Sequence, residues 1–181
     1  PIAWVNLDHP TQAVRLRRFA FAAASALVRA TAREERAIPA WLRVGAAYLF
    51  EHRAAERSPR FDDSDALTIP ADSFDSDAKP PKDRAAFLRA MADEGRAPRL
   101  DALASTEADG LAVRSRVASW GLVRFLVGVD RVKFAKLVAT TAATQPSSDR
   151  LRPFMDAFRA VYGEDEPALD NAWRSFAADR R

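Results

Sequence analysis

The chain has no cysteine, which excludes a disulfide framework and any metal site built on thiolates. Histidine is almost as scarce. Only His9 and His52 occur in 181 residues, so no third imidazole is at hand for a metal site. Glycine is held to 6 residues, and neither a glycine-rich phosphate loop nor a G-x-S-x-G nucleophile elbow occurs. Ser25, Ser105, Ser115 and Ser119 have no local histidine; a Ser-His-Asp triad would have to recruit His9 or His52 from a distance. No apolar run approaches the roughly 20 residues of a membrane span. The longest, FAFAAASALV at 19–28, is too short and closely flanked by arginine. No secretory signal pattern opens the chain. It begins with Pro1 rather than Met, which leaves an exported or periplasmic origin open.

What is present favours helix. Hydrophobic residues make up 48% and charged residues 29%, which suits one domain of ordinary size rather than a fibrous or disordered chain. Alanine is abundant and glycine rare, as in helical proteins. The formal net charge is only +3, yet the pI is about 9.7, because arginine far outnumbers lysine. A basic chain raises the question of nucleic acid or an anionic surface. Here the basic residues are interspersed with 25 acidic ones, the pattern of solvated or paired charge. Nucleic-acid binding through arginine is the third reading in rank and requires a contiguous positive face.

Residues 1–11 read as a short extended lead-in ending at Pro10, with Thr11 as an N-cap. A helix from about 12 to 34 follows, apolar nearly all round in its middle, which marks burial on several sides. Pro39 sits at the first turn of a second helix running to about Glu56. On it Trp41, Gly45, Tyr48 and His52 share one stripe, and Leu42, Ala46, Leu49 and Phe50 a neighbouring one. Residues 58–82 are rich in Pro, Asp and Ser, with Phe61, Leu67, Ile69 and Phe74 as apolar anchors, and read as a long loop inserted in one domain. Asp83 caps a third helix that Gly95 closes. A short helix after Pro98, one over 111–129, one capped by Asp130, one from near Leu151 to Gly163, and one over about 166–180 complete an all-α bundle.

The series of short motifs resembles a known family. Pro39, Trp41-Leu42, Gly45-Ala46, Tyr48 and Phe50 are similar to the P-x-W-L-x-E-G-x-A-x-Y-F segment of gluzincin-type zinc peptidases. The likeness is to the peptidase-MA-like group and a related bacterial domain family. SWGLVRFL at 119–126, FMDAFRAVYGED and LDNAWRSF resemble that frame's later helices. The resemblance implies the helical part of a gluzincin peptidase, in which the first helix carries H-E-x-x-H, with two zinc-binding histidines and a general-base glutamate. It also implies that the acidic residue of W-L-x-E-G supplies the third ligand. This chain departs at each of those positions. The segment matched to H-E-x-x-H reads FAFAAASA, with Phe19, Ala20 and Ala23 at degenerate positions, and Val44 stands at the third-ligand position. These apolar side chains are expected to fill the space of the imidazoles and water.

The leading expectation is therefore a catalytically inactive, metal-free module that binds or scaffolds other proteins and needs no cofactor. Its contact groove is expected between the second helix and the 58–82 loop, at Trp41, Tyr48, His52, Phe61 and Phe74. A hydrolase with a non-zinc or carboxylate-held metal site is the alternative. Its only support is the fold likeness and Asp62, Asp63, Asp65, Asp72, Asp75 and Asp77. Those aspartates lack the central glycine and closing glutamate of an EF-hand loop and read as a solvated acidic loop suited to docking on arginine-rich faces. His52 with Glu56 forms H-x-x-x-E, expected to be a helix-end histidine beside a glutamate.

Overall fold

Glycine and aspartate punctuate the helices of the computed structural model, which describes residues 12–30, 38–55, 84–106, 111–143, 151–163 and 166–179. Among these residues there are eight α-helices and no strand: α1 (Gln12–Ala30), α2 (Ala40–Ala55), α3 (Arg84–Asp93), α4 (Leu100–Ser105), α5 (Val113–Val129), α6 (Arg131–Ala143), α7 (Leu151–Tyr162) and α8 (Glu166–Ala178). The expected all-α bundle is the architecture found. The lead-in 1–11, the cap residues Thr11 and Asp83, and the aspartate-rich stretch 58–82 lie outside the described residues.

Gly95 ends α3 with φ at +69°. Its N–H donates to the Ala92 carbonyl at 3.0 Å and the Arg96 N–H to the Met91 carbonyl at 2.7 Å, the paired closure of a Schellman motif. Gly163 ends α7 in the same left-handed region, φ +91°. At the start of α6, the Asp130 carboxylate accepts from the Val132 and Lys133 N–H groups at 2.9 and 3.0 Å, satisfying two of the donors every helix start leaves open.

α5 is the hub. It buries Val113, every residue from Val117 to Val123, then Phe125 and Leu126. It packs against α2, α3, α4, α6 and α8. α2 crosses it where Gly45 meets Ser119; a Cβ at position 45 would overlap the Ser119 carbonyl oxygen and fall 2.7 Å from a Val123 methyl. A residue with no side chain is what lets these two helices close up. Trp41 of α2 meets Phe154 of α7 edge-on, ring centroids 5.4 Å apart. Trp173 of α8 lies 6.2 Å from Phe125, its indole N–H donating to the Pro98 carbonyl at 3.3 Å. One apolar cluster runs from Ile38 to Ala177.

α1 packs chiefly on α2, with the Phe21 and Tyr48 rings 5.0 Å apart. That contact fixes its rotation. Residues two apart on a helix point about 200° away from each other, so Phe19 and Phe21 cannot both face α2. Ala20 and Ala24 take the inward positions at 2% and 7% exposure, and Phe19 is 59% exposed. The expected interior filling by Phe19, Ala23 and Val44 is corrected accordingly: Phe19 and Ala23 face solvent, Val44 is half-buried, and the inward side of α1 is Ala20 and Ala24.

Candidate functional site

Of the five residues expected to line a contact groove, Trp41 and Tyr48 are core. Trp41 is fully buried and Tyr48 is 4% exposed. The Tyr48 ring meets Phe21, and the Arg84 guanidinium, itself buried, sits 3.9 Å from its centroid. Neither ring presents a surface to a partner, because the stripe they share is the one α2 turns toward its neighbours. His52 lies on the last turn of α2, but its side chain is outside the described residues, as are Phe61 and Phe74 altogether. His9 and the six loop aspartates also fall outside them.

Among the described residues no group of three or more His, Asp or Glu side chains converges to hold a metal ion. Ala20 and Ala24, four residues apart and turned toward α2, carry no donor atom. No described helix is long and apolar enough to cross a membrane.

Two polar clusters were not legible in the sequence. Asp170 of α8 is 8% exposed. Its carboxylate accepts from the Leu100 N–H at 3.1 Å and from the Arg174 guanidinium, so it caps the start of α4 from across the fold. The one visible signal is a carboxylate standing beside Trp173 and Ala177 on an apolar stripe. Asp170 also lines a cleft of about 230 Å³ with Arg99, Asp101, Asn171 and Arg174. Arg99 pairs with Asp101 at 3.4 Å and Arg174 with Asp170, so the two cations are matched by two carboxylates. The cleft is tied into the fold rather than arranged around a developing charge. The second cluster is at Tyr162, whose hydroxyl is buried without a hydrogen-bond partner. Burial, then the nearby Asp130 charge, pushes its phenol up to about 12. The Lys133 ammonium lies 6.0 Å from that ring. A phenol held protonated in this way is a poor general base at neutral pH.

The feature that stands apart is on the outside of α1. Phe19 and Leu27 are 59% and 66% exposed, and Ala23, Ala26 and Ala30 are exposed with them. Positions 19, 23, 26, 27 and 30 follow helical spacing and make one face. From 19 to 30 that face carries no charged residue. Phe50 of α2, half-exposed, is a further large apolar side chain in solvent. A smaller pair, Val129 and Val132 at 54% and 72%, flanks Asp130 between α5 and α6. The chain matches no protein-family model, and neither a curated protein nor a solved structure matches it.

Proposed function

We propose that this chain is a non-catalytic, metal-free relative of the gluzincin peptidase frame that works as a protein-binding helical module, with the outer face of α1 as its contact surface. The observation that carries the reading is that face. α1 has the composition of a helix buried on several sides, and α2 covers only one of them. Burying Phe19 and Leu27 against another protein's helix would contribute roughly 2–4 kcal/mol from apolar area alone. Large apolar side chains grouped on one exposed face mark interaction sites more often than isolated ones do.

Positions 19 and 23, matched to the family's two zinc-binding histidines, are phenylalanine and alanine on the solvent side of α1. Position 44, matched to the third ligand, is valine. None of these three side chains carries a donor atom, which supports the metal-free reading.

A photo-crosslinking residue at position 19, introduced in the native cells, is expected to give a discrete adduct with one protein. The same residue at exposed position 139 on α6 gives none, and Leu27→Glu suppresses the adduct at 19. Stoichiometric zinc by elemental analysis, or peptide hydrolysis abolished by a chelator, overturns the non-catalytic assignment. Identical crosslinking at 19 and 139 overturns the contact surface.

A further inference from the structure

We infer that the turn joining α5 to α6, together with the outer side of α6, docks on an anionic lipid headgroup layer, a second contact independent of the α1 face. The charge of the protein is unevenly placed. From Val113 to Ala143 there are six basic residues, Arg114, Arg116, Arg124, Arg131, Lys133 and Lys136, and one acidic residue, Asp130. That surplus of five exceeds the net +3 of the whole chain, so the remainder is slightly acidic. Arg114 and Arg116 are half-buried, and Arg124 lies 5.6 Å from the ring centroids of both Trp120 and Phe176. Arg131, Lys133 and Lys136 are exposed and form no ion pair among the described residues. Asp130 is turned into the start of α6, where its carboxylate accepts from the Val132 and Lys133 N–H groups and the positive end of the helix opposes its charge.

The same surface carries apolar side chains in solvent. Five of the six residues from Gly128 to Lys133 are exposed, so the turn is a projecting corner, and Val129 and Val132 stand on it at 54% and 72% exposure. α6 packs on α5 and α7 and buries Leu137, Thr141 and Ala142. It leaves Val132, Ala135, Lys136, Ala139 and Ala143 outward. At about 100° per residue, Arg131 and Lys133 flank Val132 on either side. An apolar strip edged by cations is the arrangement of helices that lie in a headgroup layer, with methyl groups inserted and the long basic side chains reaching phosphates. Nucleic acid is a poorer occupant, because its phosphates would meet the cations and leave Val129 and Val132 in water. An acidic protein would need a concavity fitted to the corner, whereas a headgroup layer deforms around it. Two valines and three cations give weak, reversible association.

The test is co-sedimentation of the full chain with vesicles of phosphatidylcholine alone, or of equal parts phosphatidylcholine and phosphatidylserine, at low and high salt. Binding to the phosphatidylserine vesicles is expected to be at least about tenfold tighter, with the gap closing as salt rises. Arg131→Gln with Lys133→Gln and Lys136→Gln is expected to weaken it at least about tenfold. The charge-matched control is Arg96→Gln with Arg99→Gln and Arg159→Gln, three exposed arginines that pair with Glu94, Asp101 and Asp156 on other elements. It is expected to leave binding unchanged. Val129→Ser with Val132→Ser, at exposed positions and with unchanged helical circular dichroism, is expected to weaken binding at every salt concentration. Equal losses in the two arginine and lysine variants trace the binding to net charge and overturn the surface. Equal binding to the two kinds of vesicle, or no binding to either, overturns the inference. Binding to duplex DNA that the Arg131/Lys133/Lys136 variant abolishes and the valine variant leaves intact assigns the cations to nucleic acid and overturns it as well.

Discussion

Replacing Gly45 by alanine tests the packing that sets α2, and through it α1, on the hub helix. A Cβ there overlaps the Ser119 carbonyl oxygen and crowds the Ser119 carbonyl carbon and a Val123 methyl, both at 2.7 Å. Two of those three atoms are backbone, so no rotamer change relieves the contact and α2 and α5 must move apart. Overpacking of this kind costs about 1–3 kcal/mol, with a rigid backbone neighbour placing Gly45→Ala toward the upper end. Exchanging glycine for alanine within a helix returns up to about 1 kcal/mol. The net expectation is a loss of about 2 kcal/mol, or a fall in Tm of roughly 4–8 °C for a chain of this length. Gly128 of α5 is the internal control. It is helical and exposed, and a Cβ there meets nothing within 4 Å, so Gly128→Ala is expected to stabilise by up to about 1 kcal/mol. Urea unfolding followed by circular dichroism reads both, as midpoint shifts of opposite sign at unchanged slope. A Gly45→Ala protein as stable as the parent, or a Gly128→Ala protein that loses as much, refutes the close crossing of α2 and α5.

Asp170→Ala removes the acceptor of the Leu100 N–H and the partner of Arg174. A loss of about 1–3 kcal/mol is expected in urea unfolding, and an unchanged midpoint would show that α4 does not depend on this cap. Tyr162 is neutral in the fold up to about 12, above its ordinary value of 10.0. The folded state therefore holds its proton more tightly than the unfolded one, so this contribution to stability is fully present below about pH 10 and is lost as pH rises toward 12. Unfolding free energy is expected to fall across that window in the parent and to fall less in Tyr162→Phe. Equal slopes for the two proteins would remove the assignment.

Much of the helical order was legible because local chemistry carries it. Gly95 and Gly163 adopt left-handed closures that few other residues accept, and Asp130 caps the helix that follows it. Phe154, Phe158 and Val161 recur at helical spacing and are buried together in α7. What was not legible depends on contacts distant in sequence. The middle of α1 is apolar nearly all round, so its pattern gave no preferred rotation, and the Phe21–Tyr48 contact decided it. Trp41 and Tyr48 sit on a stripe that periodicity identifies as one face, but periodicity does not say whether core or solvent covers that face. Asp170 serves a backbone donor 70 positions away, and no window along the chain contains both. Arg84 follows the aspartate-rich stretch at the start of α3. Nothing local marks it for the interior, yet it lies buried against Tyr48.

The proposed contact surface draws on the alanine-rich composition of α1. Alanine is the best helix former and has no donor atom, so alanine at 20 and 24 allows close packing on α2 with no polar group left to satisfy. A helix made this way still draws on its neighbours, because tertiary packing supplies most of the stability of helices in proteins. α5 obtains that packing from five helices and buries its middle completely. α1 obtains it mainly from α2, which is itself held through the Gly45 crossing. A second helix laid over Phe19, Ala23, Ala26, Leu27 and Ala30 gives α1 on its outer side the kind of cover that α2 provides on the inner one. Binding and stability of α1 are then linked, since whatever binds the folded helix alone must also stabilise it.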